Sequence, residues 1–114
     1  MGTLTLIGEG GHAADIARIL QRCCKPYRQI PHHTDLQPSD RYILGINDPQ
    51  IRVQLPLINN TAAAWLQDPD ALVIGGGSQP LGVVIAARTL LMDTTIGFHT
   101  HINYGTTMTR TTIG

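Results

Sequence analysis

Thr3-Leu4-Thr5-Leu6-Ile7 is a short β-branched and apolar run bounded by glycine, which predicts a buried strand. Gly8-Glu9-Gly10-Gly11-His12 follows at once. After it, Ala13, Ile16, Ala17, Ile19 and Leu20 recur at helical spacing, and Pro26 stops the helix they predict. A shorter strand is predicted from Arg28 to His32, then a polar loop from Thr34-Asp35 to Ser39-Asp40 in which His32 and His33 are exposed. Tyr42-Ile43-Leu44-Gly45-Ile46 reads as the next buried strand. Asn47-Asp48-Pro49 opens a second helix, carrying Ile51, Arg52 and Leu55 and ending before Pro56. Strands alternating with helices imply an α/β fold with a parallel sheet and right-handed crossovers.

The second half has a different period. Val84, Leu90, Ile96, Ile102 and Met108 step by six, and Thr94, Thr100, Thr106 and Thr112 each follow an apolar position by four. A step of six conflicts with the 3.6-residue helix. It fits a hexapeptide repeat, in which every six residues form one flat face of a triangular coil, aliphatic side chain inward and threonine at the corner. Between the halves, Asp70-Ala71-Leu72-Val73-Ile74 predicts a strand and Gly75-Gly76-Gly77-Ser78 a loop. Val84 to Gly114 holds fewer than two coils of about eighteen residues, whereas solenoids use three or more repeats to cover a core. The coil therefore either continues past these residues or is covered by neighbouring subunits.

Charge and composition exclude several classes. Eight basic residues balance eight acidic ones, and aromatics make up 4% of the chain. Neither a basic footprint nor a stacking platform for nucleic acid is present. The N-terminus lacks a basic segment and a long apolar run, so no membrane insertion is expected. Cys23 and Cys24 are adjacent, a poor geometry for mutual pairing, and read as reduced thiols of a cytoplasmic protein.

A glycine loop between a strand and a helix suits an anion. Glycines let the backbone approach a phosphate, and the free N–H groups of the helix N-terminus point at it. The helix dipole alone contributes roughly 0.3–1 kcal/mol, so several N–H contacts are needed for useful affinity. Gly8, Gly10 and Ala13 also fit a dinucleotide fingerprint ending in alanine. A tight strand-to-helix turn with no ligand explains the same residues, so the loop alone decides nothing.

Taken together, three segments resemble the bacterial sialic-acid O-acetyltransferase and UDP-4-amino-sugar N-acetyltransferase family of hexapeptide-repeat sugar acyltransferases. They are Leu6-Ile7-Gly8-Glu9-Gly10-Gly11-His12-Ala13, then Leu44 to Arg52 followed by Leu55, then Ile96 to Gly105 ending in Thr112-Ile113-Gly114. The resemblance implies a small Rossmann-like parallel-sheet domain over residues 1–70 that binds a nucleotide sugar, followed over 71–114 by the start of a left-handed β-helix. It further implies acetyl-CoA as acyl donor, a homotrimer and no metal. By motif, Gly8, Gly10, Gly11 and His12 would cradle the acceptor's phosphates. Asp35 and Asp48 would lie in loops at the carboxyl ends of strands, where open α/β sheets bind ligands.

One departure stands out. The family uses a β-helix histidine, just before the next Ile-Gly, as general base on the acceptor's amine or hydroxyl. Arg110 occupies that place here, in Met108-Thr109-Arg110-Thr111-Thr112-Ile113-Gly114, and the step from Met108 to Ile113 is five. Arginine with a pKa above about 12 leaves on the order of one molecule in 10⁵ deprotonated at pH 7, a deficit of roughly 7 kcal/mol. His99 and His101 are the remaining candidates for the base, and their alternation places both on one face of a strand. Two other readings stand beside the acetyltransferase. One is a non-catalytic nucleotide-sugar-binding or trimer-forming relative that lacks the base. The other is an NAD-binding module, which needs Asp35 at the end of the second strand.

Overall fold

The computed structural model describes residues 4–58 and 65–114. The chain divides into two compact units, Met1–Ala63 and Ala64–Gly114.

In the N-terminal unit, β1 (Leu4–Ile7) is the middle strand of a three-stranded parallel sheet. It lies between β2 (Arg28–Ile30) and β3 (Arg41–Leu44). Thr3 of the expected first strand lies outside the described residues. α1 (Gly11–Arg22) joins β1 to β2 and turns Ala13, Ile16, Ile19 and Leu20 inward. α2 (Pro49–Ile58) follows β3 and runs through Pro56, past the end expected for it. A proline this late removes one hydrogen bond from the helix. Alternation along the strands gathers Ile7, Ile30, Tyr42 and Leu44 on one face, where Leu55 of α2 closes the core and Ile51 packs at its edge. The loop before β3 is tied down by an ion pair between Arg28 and Asp40, and the Arg28 Nε–H also donates to the buried Thr5 hydroxyl at 3.3 Å.

Among its described residues, the C-terminal unit contains only short parallel strands. β4 (Leu66–Gln67), β6 (Val84–Ile85) and β9 (His101–Ile102) form one sheet. β5 (Leu72–Ile74), β7 (Leu90–Met92) and β10 (Thr107–Thr109) form a second, and β8 (Thr95–Ile96) with β11 (Thr112–Ile113) a third. The chain thus visits three sheets in rotation. Partners lie 18 residues apart in the first round, Leu66 with Val84 and Leu72 with Leu90. They lie 17 apart in the second, Val84 with His101, Leu90 with Thr107 and Thr95 with Thr112.

The register corrects the sequence reading. Ile85 and Leu91, both 0% exposed, belong to the central cluster with Ile96 and Ile102, and Met108 and Ile113 pack against it. Val84 and Leu90, expected inward, are the neighbours of these residues and point the other way. The inward side chains step by six from Ile85 to Leu91, five to Ile96, six to Ile102, six to Met108 and five to Ile113. The five-residue step between Met108 and Ile113 is therefore the regular partner of the one between Leu91 and Ile96. A uniform period of six matches the later residues and slips by one at the start.

From Arg88 onward the corners share one construction. Arg88, Asp93, His99 and Arg110 adopt left-handed backbone with φ between 50 and 59°, and Gly105 does so at 76°. A threonine follows every one of them. The Thr94 hydroxyl donates to the Met92 carbonyl at 3.1 Å, Thr100 to Gly97 at 2.9 Å, Thr106 to Asn103 at 2.7 Å and Thr111 to Thr109 at 3.0 Å. Thr89 donates to the Asn103 carbonyl one turn later, at 3.2 Å. Thr111, not the expected Thr112, is the corner threonine of the last turn; Thr112 lies in β11.

The register generates a test. Leu91→Ala removes a fully buried side chain and costs about 2–5 kcal/mol, while Leu90→Ala costs less than half as much. Urea unfolding followed by Trp65, the single tryptophan and a member of the C-terminal unit, measures both. Equal losses, or a larger loss at Leu90, would refute the inward assignment.

Candidate functional site

The three parallel strands of the N-terminal unit end side by side. The Gly8 N–H donates to the Ile30 carbonyl at 2.8 Å and the Gly45 N–H to the Ile7 carbonyl at 2.7 Å. The loops after β1, β2 and β3 therefore leave from one edge of the sheet. With strand order β2-β1-β3, the chain leaves β1 toward one side and reaches β3 on the other, so this edge includes a topological switch point, where open α/β sheets bind ligands.

The glycines at this edge do different work. Gly8 has φ +113°, and a Cβ on it would lie 3.0 Å from the Gly45 oxygen. A Cβ on Gly45 would lie 2.5 Å from the Ile7 oxygen and 2.9 Å from the Ala13 Cβ. Both glycines are needed to bring β1, β3 and the start of α1 together. Gly10 and Gly11 are different: a Cβ on either meets nothing within 4 Å, and neither has positive φ. Gly10 caps α1 with no side-chain hydrogen bond, and both residues are exposed. Conformation and packing inside the chain do not call for glycine at these two positions.

His12 is half-buried in the first turn of α1. Burial pushes its imidazole below the ordinary 6.5, the Arg52 guanidinium pushes the same way, and Asp15 pulls against them. The edge thus presents a neutral imidazole near a fixed cation, beside a helix N-terminus. Asp48 is partly committed: its Oδ1 accepts the Gln50 N–H at 2.9 Å, and its carbonyl accepts from Arg52 at 3.1 Å, which makes it the N-cap of α2. Asp35 ends a 3-10 turn (His33–Asp35) beyond β2 and is exposed. Gly45 and the Arg52–His12 proximity were not among the expected site residues. Gly45 carried a signal, since glycine inside a strand pattern marks close backbone approach.

In the C-terminal unit, His99 and His101 do not share a strand face. His99 precedes β9 at a corner with φ +59°, and β9 begins only at His101. A five- or six-residue side has room for two or three extended residues, so the alternation expected across residues 99–101 is broken by the turn. His101 is half-buried and lies in register with Val84 and Leu66. Arg110 is exposed at a corner with φ +51° and follows Asp93 and Gly75 in that column, its N–H donating to the Met92 carbonyl as Asp93 donates to Ile74. A cavity of about 80 Å³ lies where the first round has a glycine loop in place of a third strand, lined by Trp65, Gln67, Gly76, Ser78 and Ile96 among others. Among the described residues no helix is long and apolar enough to cross a membrane.

No family model matches this chain, and no curated protein matches it. Solved structures do. The acetyltransferase domain of PglB from Neisseria gonorrhoeae overlaps it with a TM-score of 0.80 at 17% identity, over 96% of this chain and 65% of that one. The same domain in complex with acetyl coenzyme A gives 0.78 at 18%, over 94% and 64%. PerB from Caulobacter crescentus, in complex with CoA and GDP-perosamine, gives 0.75 at 20%, over 96% and 63%. The chain therefore has the fold of these acetyltransferases, with both units included in the overlap, and spans less than two thirds of their length.

Two outcomes follow from the glycine and histidine geometry. Gly45→Ala destabilises by about 1–3 kcal/mol because the strand ends must part, whereas Gly11→Ala in the first helical turn is neutral or stabilising by up to about 1 kcal/mol. Equal effects in thermal unfolding would refute the division. For His12, the unfolded chain binds more protons than the folded one between the lowered folded pKa and 6.5. Stability is then fully kept above that window and falls as pH drops through it. Arg52→Gln raises the His12 pKa in an NMR titration and shrinks this acid loss; an unchanged titration would remove Arg52 as a cause.

Proposed function

We propose that this chain is the nucleotide-sugar-binding and leading coil portion of a hexapeptide-repeat sugar acetyltransferase. In this reading the N-terminal unit is Rossmann-like and the C-terminal unit opens a left-handed β-helix. The observation that carries it is the overlap of both units, in order, with acetyltransferases of which one was solved with acetyl coenzyme A and another with CoA and a GDP-sugar.

Gly10, Gly11 and His12 hold the acceptor's phosphates, with the open backbone at Gly10 and Gly11 supplying N–H donors, while Gly8, its N–H bonded to the Ile30 carbonyl, turns the chain out of β1 toward them. A neutral His12 donates one hydrogen bond, and Arg52 supplies the positive charge behind it. Asp35 and Asp48 are the polar groups of the neighbouring loops; Asp48 serves the ligand with the oxygen that does not cap α2. The acyl donor is acetyl-CoA, and the reaction it implies is attack by the sugar's amine or hydroxyl on the thioester carbonyl. A C–N or C–O bond forms, the C–S bond breaks, and the attacking group's proton passes to a base while CoA leaves as its thiol. Since Arg110 cannot accept that proton, His99 and His101 are the bases to consider. The chain works as a homotrimer. Leu72, Ile74 and Met92, 54, 47 and 38% exposed on the outward side of adjacent strands, offer a neighbouring copy an apolar surface.

Calorimetric titration with GDP- and UDP-sugars and with acetyl-CoA, alongside a thiol-release assay, tests the reading. Gly11→Ala keeps the fold and weakens nucleotide-sugar binding by at least about tenfold, equivalent to 1.4 kcal/mol. Wild-type affinity in that variant would remove the glycine loop from the site. Failure of the wild-type chain to bind any nucleotide sugar would overturn the proposal itself.

A further inference from the structure

We propose that Gly82 is a positioning residue for His99, its missing side chain forming the seat on which the imidazole rests. This goes beyond the functional reading above in naming what orients one of its two candidate bases, and its consequence for catalysis rests on that reading.

Gly82 and His99 occupy the same corner one turn apart, linked through the His99 N–H, which donates to the Leu81 carbonyl at 3.1 Å. Both are left-handed, Gly82 at φ +78° and His99 at +59°. A Cβ on Gly82 would fall inside the van der Waals envelope of His99 Nδ1, and 3.0 and 3.1 Å from Cε1 and Cγ. Three ring atoms that close to one point mean that the imidazole lies across the bare Cα. Its neighbour in the coil repeats the arrangement: a Cβ on Gly75 would strike the Asp93 carboxylate, again from the left-handed residue of the next turn. Gly105 lies in the last turn described, with no residue of a following turn over it. Gly105 has φ +76°, and a Cβ there meets nothing within 4 Å.

Backbone conformation alone favours glycine at positions 82 and 105 alike, because a left-handed residue other than glycine costs roughly 1–2 kcal/mol. What distinguishes position 82 is the ring. A methyl group there must push a side chain aside, and the three nearest atoms it meets all belong to the His99 ring. The ring leaves its seat by rotation about χ1 or χ2, which changes the direction in which both nitrogens point. Proton transfer requires the base within hydrogen-bond reach of the acceptor, about 2.6–3.2 Å between heavy atoms, so a rotated ring loses the reaction even in a folded protein.

Gly105→Ala is the control, since it carries the same conformational penalty with no ring to displace. In the full chain, the imidazole ¹H–¹⁵N resonances of His99, assigned with His99→Gln, shift in Gly82→Ala and stay in place in Gly105→Ala. Unmoved resonances in folded Gly82→Ala overturn the proposal. Should Gly82→Ala fold too poorly for spectra, a double-mutant cycle with His99→Ala replaces the measurement. Removing the ring then recovers at least about tenfold in the folding equilibrium lost to Gly82→Ala, and additive effects overturn the seat. Acetyl transfer separates the two ideas. With His99 as base, Gly82→Ala lowers kcat by about tenfold or more, within the range general bases contribute, and leaves the acceptor KM within about twofold. Moved resonances with kcat unchanged reject His99 as the base and leave the seat established.

Discussion

The C-terminal unit depends on making a left-handed corner every five or six residues without glycine at most of them. Each such corner costs roughly 1–2 kcal/mol in a residue with a side chain. The threonine that follows returns part of it, because its hydroxyl donates to a backbone carbonyl of the same or the next turn. A hydrogen bond of this kind contributes about 0.5–1.5 kcal/mol. The two terms are of the same size and recur together at Arg88-Thr89, Asp93-Thr94, His99-Thr100, Gly105-Thr106 and Arg110-Thr111. The flat sides between corners then have only to turn one aliphatic residue inward, which is why strands of two or three residues suffice.

That pairing also explains what the sequence made legible and where it misled. The sixfold recurrence at Ile96, Ile102 and Met108 is real, and so is a threonine at a fixed offset from the aliphatic positions. Seen as a strict period of six, however, the pattern runs backward from Ile96 to Leu90 and Val84, whereas the side facing Leu91 takes only five residues to reach Ile96. Leu90-Leu91 and Val83-Val84-Ile85 are apolar on both faces, so hydrophobicity alone cannot choose between adjacent registers. The corner could have chosen, since Asp93-Thr94 and Arg110-Thr111 share a spacing of 17 that matches Leu91 with Met108.

In the N-terminal unit, strands and helices were readable because β-branched runs and helical spacing agree with the packing that results. The glycine loop was readable as a loop and ambiguous as a site. The glycines of this edge divide by what a side chain would meet. Gly8 and Gly45 are consumed by the fold, one by its positive φ and both by crowding at the strand ends. Gly10 and Gly11 are not, and they are the ones that leave helix N–H groups accessible. Gly45 could be told apart by its place inside a strand pattern, but nothing in the sequence separates Gly8 from Gly10 and Gly11, because the separating fact is the proximity of β3 to β1, and those strands are more than thirty residues apart in the chain. Asp48 shows the converse: a residue chosen as a ligand by its place in a loop turns out to hold the start of a helix as well.

Arg110 is best understood from the corner it occupies. The column it shares with Asp93 and Gly75 selects for residues that accept a left-handed backbone and tolerate exposure, and the charge or chemistry of the side chain is free to vary from turn to turn. Glycine, aspartate and arginine succeed one another there without disturbing the parallel pairing on either side. The coil therefore does not need a histidine at any corner, and losing one leaves the fold unmarked. A side chain that happens to be a histidine is held only if its neighbour in the previous turn makes room for it. Gly82 makes that room for His99, whereas the previous-turn neighbour of Arg110 is Asp93, so under the proposed function the proton acceptor is sought at the corner of His99 and on the strand that begins at His101.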